Sequence, residues 1–252
     1  MTTAILDPQT RTRPLPLRAA APAPAPAKPR RSVVPLAWTR LAVWGPVTAL
    51  AAMLAVHLAG HLNPVTSVLS SYALAPGTAG LFAVAVLALG AGAAGLGRAL
   101  RTAAPAVGRA VPALLAVTAG MLALTVIFPT DAEFAPISLS GNIHRYAATV
   151  AMVAMPVAGL LTARRLRVGA WRRVGKAAAL ATGASLLTLV VYLVTCIPSV
   201  LPHTPLAEAF NAAFPGFNAR GLTERIVLTA EVALVLTTGL SLLKATTSRR
   251  AA

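Results

Sequence analysis

Thr78–Gly97 reads TAGLFAVAVLALGAGAAGLG, twenty residues without a charge. A helix in a soluble bundle keeps a polar stripe toward water, and this segment has none. At 1.5 Å rise per residue, twenty helical residues cover about 30 Å, the thickness of bilayer hydrocarbon. Backbone groups in lipid must be satisfied within their own segment, so the spacing predicts a transmembrane helix and not a strand.

Five further segments read the same way: Leu36–Gly60, Val111–Phe128, Tyr146–Ala163, Ala177–Val200 and Ile226–Leu243. Hydrophobic residues make up 57% of the chain and charged ones 11%, against about 25% charged in a soluble domain. The expected fold is all-α: an integral membrane six-helix bundle with short interfacial helices on the outer side. The net charge of +16 would suit nucleic acid, but the basic residues flank the uncharged segments and line no amphipathic face. The bilayer is therefore the expected partner and nucleic acid is not. The single Cys196 allows no internal disulfide. Oligomeric state is not legible.

Of the 22 Lys and Arg residues, 19 fall on one side of a six-span topology. They lie in the N-terminal tail and the start of the first span, in the second-to-third and fourth-to-fifth loops, and in the C-terminal tail. Only Arg145, Arg220 and Arg225 fall on the other side. Cytoplasmic segments carry the Lys/Arg excess, which predicts a multi-pass cell-membrane protein with both termini in the cytoplasm. Residues 1–34, with the run RAAAPAPAPAKPRR, read as a solvated Pro/Ala-rich tail. Residues 35–244 read as the membrane domain and 245–252 as a short cytoplasmic tail.

The three outer connections, Leu62–Gly77, Pro129–Arg145 and Leu201–Arg225, exceed the usual 2–8 residues between packed helices, so function is expected on that face. In HLNPVTSVLSSYALAPG, Asn63 caps and Pro64 opens a helix predicted to run to about Leu74, bringing Ser67, Ser70 and Ser71 near one another with Tyr72 adjacent. In HTPLAEAFNAAFPGFNARGLTER, Thr204 caps a helix stopped by Pro215-Gly216. Leu206, Phe210 and Phe214 form its apolar stripe, lying on the membrane or packing as a lid.

The chain has only six acids and four histidines, and most gather at one depth. His57 and His61 are four apart at the outer end of the first span. Asp131 follows the third span and His144 opens the fourth. Glu224 and Arg225 open the sixth, with Glu231 two turns below. Ionisable groups within a bundle face its interior or a wet cavity. The expected constellation places Asp131 opposite His144 under the Pro64–Leu74 helix, with His57 and Glu231 beneath. His57 and His61 could also hold a metal with Asp131 or His144 as third ligand; no HExxH or CxxC pattern accompanies them.

HLNPVTSVLSSYALAPG, VIFPTD, GNIH and GLTER, in that order in a six-span chain, resemble the bacterial family known as domain of unknown function 998. The likeness covers about Leu41 to Leu243. The family pattern matches Pro64, Ser67 or Ser70, Phe128-Pro129-Thr130-Asp131 and His144. It departs at Ser71, where an Asp is usual, and lacks a further His near the start of the fourth span. The resemblance implies an architecture and a site and leaves the reaction and any cofactor or metal open.

Two functions fit these residues. One is a membrane protein that binds a small or lipid-like ligand or supports a partner, through His57, His61, Ser67, Tyr72, Arg225 and Glu231. The other is a membrane-embedded hydrolase of a lipid or envelope substrate, using Asp131, His144 and Ser70, with or without a metal.

Overall fold

A computed structural model describes residues 36–132 and 135–251. The expected tail, residues 1–34, lies outside them. Among the described residues seven α-helices follow one another: α1 Leu36–Ala59, α2 Ala79–Ala103, α3 Ala110–Ile127, α4 Leu139–Arg165, α5 Arg172–Val200, α6 Pro205–Ala213 and α7 Arg220–Ala251. All but α6 are long and apolar enough to cross a membrane, and no strand occurs among the described residues. The protein is a multi-pass membrane protein.

The long helices form a ring. α1 packs on α2, α2 on α3, α3 on α4, α4 on α5, α5 on α7, and α7 closes back onto α1. α7 also reaches across to α2 and α4. One end of the ring, here the basic end, carries the Arg-rich turns. The loop-rich end carries residues 60–78, 128–132, 135–138 and 201–219.

Several helices start earlier than hydropathy suggests. α4 begins at Leu139 and not Tyr146, because the Ser138 hydroxyl accepts the Gly141 N–H (3.0 Å) and caps it. α7 begins at Arg220, six residues before Ile226, and remains helical to Ala251. Hydropathy marks only the greasy part of a helix; a polar first turn stays helical when capped or packed.

Small residues let the helix backbones meet, the usual solution in lipid. A Cβ on Gly45 would stand 2.6 Å from the Ala88 carbonyl oxygen, and one on Gly92 would stand 2.6 Å from Cδ of Pro46. The main apolar core lies toward the basic end, with Leu96, Leu100, Leu115, Met155, Val235 and Leu242 among its members. A smaller cluster of Val56, Leu69, Tyr72 and Phe82 holds the loop-rich end.

Two connections differ from the sequence-based expectation. No continuous helix runs from Pro64 to Leu74. Asn63 caps a single turn, accepting from the Val65 N–H at 2.8 Å, and a 3-10 helix follows at Leu69–Ala73. The reason is tertiary: the Leu69 N–H donates to Oε2 of Glu224 (2.6 Å), and the Val65 carbonyl accepts from the Leu222 N–H (3.0 Å). These bonds use backbone groups that a helix would pair internally. α6 forms as its signals indicate, capped by Thr204 with Pro205 in the first turn, and Gly216 after it turns at φ 72°, a region open to glycine. Its stripe, however, is no lid. Ala207 is the side chain buried, while Leu206 and Phe214 are more than half exposed, and Phe210, Phe214 and Phe217 cluster ring to ring.

Candidate functional site

The first turns of α7 organise the loop-rich end. Arg225 turns inward. Its Nε–H donates to Nε2 of His57 (2.7 Å), and Nη1 donates to the carbonyls of Ser67 (2.7 Å) and Gly221 (2.8 Å). Nη2 is buried without a partner. The guanidinium lies 5.8 Å from the centre of the Tyr72 ring, and that ring is 5.4 Å from the imidazole of His57. Because Nε2 of His57 accepts, its proton sits on Nδ1, which donates to the Met53 carbonyl (2.7 Å). His57 is thus a neutral strut with both nitrogens committed. Gly221 must be glycine here, since a Cβ would collide with the Ser67 backbone.

Beneath this clamp lies a cavity of about 340 Å³. It is bounded by α1, α2, α3, α4, α7 and the 3-10 turn at Leu69–Ser70. Its walls are mostly apolar; Phe82, Leu89, Leu122, Met152 and Val232 contribute. Into it come the polar residues His57, Ser70, His144, Glu224, Arg225 and Glu231. A mostly apolar pocket with a few convergent polar groups is the usual form of a ligand site.

Two of these groups have chemistry to spare. Nδ1 of His144 faces two acceptors, the carbonyls of Thr125 and Phe128, each at 3.0 Å. Nδ1 therefore carries a proton, and in the neutral ring Nε2 is an acceptor. The ring is held against the end of α3 and is 5% exposed. Glu231 is 2% exposed, and its Oε1 is buried without a partner. A buried carboxyl oxygen lacking a donor is costly, which marks Glu231 as a group awaiting one. Glu224, seven residues earlier on the same face, has its Oε2 engaged by the Leu69 N–H.

The expected pairing of Asp131 with His144 does not form. Asp131 accepts the Ser138 hydroxyl (2.6 Å) and the Ser138 N–H (3.1 Å), and it is not among the cavity-lining residues. The Ser138 bonds hold its carboxyl below the ordinary carboxylate value. The carboxylate lies so close to Gly141 that a Cβ there would collide with it. Asp131 is the clasp that folds the connection between α3 and α4 onto the capped start of α4.

The remaining expected residues are placed as follows. His61 lies beyond the end of α1 and is exposed, so it leaves the face it would share with His57 on a continuous helix. Ser67 meets the site through its carbonyl, as the acceptor for Arg225. Tyr72 is almost wholly buried behind His57. Among the described residues, no three His, Cys, Asp or Glu side chains come together as a metal site.

A family model described as "Protein of unknown function (DUF998)" matches residues 43–241. The chain belongs to this family. The match reaches from within the first span to within the sixth and takes in the whole cavity, and it fits the architecture the FPTD and GNIH segments imply. No curated protein matches the chain, and no solved structure does. Within this DUF998 chain, Glu224 also lines the cavity, beyond the expected site residues. The seven-residue spacing to Glu231 was its signal. Thr125 carried none, because its part is played by a backbone carbonyl.

Proposed function

We propose that the protein binds a small or lipid-like ligand in the cavity, and that the basic end of the ring faces the cytoplasm. The observation that carries this reading is Glu231, a carboxyl that lines the mostly apolar 340 Å³ cavity and whose buried Oε1 has no partner. Nη2 of Arg225 lacks a partner in the same way, and Arg225 lines the same cavity, so the reading has the ligand draw on one strong donor and one strong acceptor. A ligand that meets both removes two desolvation penalties at once. The orientation is supported by the Lys/Arg asymmetry between the two ends.

The hydrolase reading draws on Ser70 and His144, which share the cavity. It has less support, because Asp131, the acid assigned to it, is engaged by Ser138. Binding is the reading the geometry supports best. The test is to purify the protein in lipid nanodiscs and analyse what it retains by native mass spectrometry. The wild-type chain is expected to hold one small amphiphile per chain, and Glu231→Gln and Arg225→Lys to retain markedly less of it. Identical adducts in all three would refute the reading.

A further inference from the structure

Resting on the binding reading above, we propose that the cavity loads sideways from the bilayer, through a gap between α1 and α7. Its ligand class would be a single-chain amphiphile with an uncharged, hydroxyl-bearing head.

α1 and α7 run antiparallel and meet closely at two levels. Near the loop-rich end, Arg225 bonds His57 at 2.7 Å. Deeper, a Cβ on Gly239 would stand 2.9 Å from the Ala42 carbonyl oxygen. The two contacts are fifteen residues apart on α1 and fourteen on α7, about 22 Å at helical rise. Only two of the cavity-lining residues are exposed, Leu50 on α1 and Thr229 on α7. Both fall between the two contacts. Leu50 lies nine residues below the end of α1, and Thr229 nine below the start of α7. That depth is about 13 Å, well inside hydrocarbon roughly 30 Å thick. The hydroxyl of Thr229 donates to the Arg225 carbonyl (2.7 Å), so the lip of the gap presents little polarity to a passing chain. By the register of the two contacts, Glu231 stands level with Leu50, just inside the opening.

The head group follows from what waits inside. Glu231 Oε1 needs a donor and Arg225 Nη2 needs an acceptor. A hydroxyl both donates and accepts. A phosphate dianion only accepts, and it would meet two carboxyl side chains, Glu224 and Glu231, with a single guanidinium to hold it. A quaternary ammonium can neither donate nor accept. The volume of about 340 Å³ lies at the small end of ligand pockets. It takes a head and a few methylenes, leaving the rest of one chain in the lipid outside the gap.

The probes are 1-monooleoylglycerol, its phosphate-headed counterpart oleoyl lysophosphatidic acid, and glycerol, each offered to the full chain in nanodiscs. Adducts are read by native mass spectrometry. Expected are a one-to-one adduct with monooleoylglycerol, and about tenfold weaker binding in Glu231→Gln, the loss of roughly one hydrogen bond. Slower uptake is expected in Leu50→Trp/Thr229→Trp, or in Leu50→Phe alone should the double variant fail to fold. An equal adduct with the lysophosphatidic acid would overturn the head-group class. Uptake unchanged in the gap variants, with Glu231→Gln still weak, would overturn the lateral route and leave the binding reading standing. Binding of glycerol as tight as that of monooleoylglycerol would also overturn the lateral route. No adduct with any probe would overturn both readings.

Discussion

The Nε–H of Arg225 and Nε2 of His57 meet at 2.7 Å, and this one hydrogen bond closes α7 onto α1 above the cavity. His57 can accept only because its proton lies on Nδ1, fixed by the Met53 carbonyl. Removing the imidazole leaves the Arg225 Nε–H facing an apolar gap. His57→Ala should therefore cost about 1–3 kcal/mol, the penalty of stranding a partly buried donor. His57→Gln, whose amide oxygen can accept, should recover part of it. Unfolding in nanodiscs of wild type and both variants checks this, and equal loss in the two would mean that the ring serves only as filler.

Acid should open the clasp at Asp131. Its carboxyl is held below the ordinary value of 3.8 by the hydroxyl of Ser138. A carboxyl depressed in the folded state contributes stability above the ordinary value, and that contribution is lost as pH falls through the lowered folded value. Hydrogen-exchange protection at the Ser138 and Gly141 amides, corrected for intrinsic rates, should be constant at about pH 5 and above. It should fall as the pH drops below 3.8. Asp131→Asn should lack this acid step, and a variant that kept it would show that another group is responsible.

The membrane architecture was legible because lipid imposes one rule on every span, and uncharged runs such as Thr78–Gly97 obey it without ambiguity. The convergence of His57, His144, Arg225 and Glu231 was legible too, since topology and rise per residue set depth. Partnership was not. Depth places Asp131 beside His144, but a serine seven residues along offered two donors at 2.6 and 3.1 Å, and that local closure won. The Pro64–Leu74 segment carries good helix signals, yet it gives its backbone to Glu224 and Leu222. Bonds between residues about 155 positions apart leave no trace in local pattern.

Close helix packing gives a contrast between two glycines. Gly45 has backbone on top of it, the Ala88 oxygen at 2.6 Å and Cα of Gly92 at 2.7 Å from a Cβ placed there. Gly183 has nothing within 4 Å. Gly45→Ala should destabilise by about 1–3 kcal/mol through overpacking, whereas Gly183→Ala should be neutral or slightly stabilising, since alanine is the better helix former. Chemical denaturation of the two variants decides it. A neutral Gly45→Ala would mean that α1 and α2 are farther apart than described.

Orientation is open to labelling in intact cells. In a Cys196→Ser background, Ala135→Cys and Asn218→Cys at the loop-rich end should react with an impermeant maleimide. Val168→Cys at the basic end should react only after lysis. Labelling of position 168 in intact cells would invert the assignment.

The binding account depends most on Glu231. A buried carboxyl kept for a ligand weakens the empty protein, so replacing it with an apolar residue should relieve the unpaired oxygen while destroying the site. Glu231→Leu, measured in nanodiscs for unfolding and for retained amphiphile, separates the roles. The account predicts a protein at least as stable as wild type that retains no ligand. A variant that is markedly less stable yet carries the same adduct would contradict it, because Glu231 would then be a structural group and the cavity no binding site of its making.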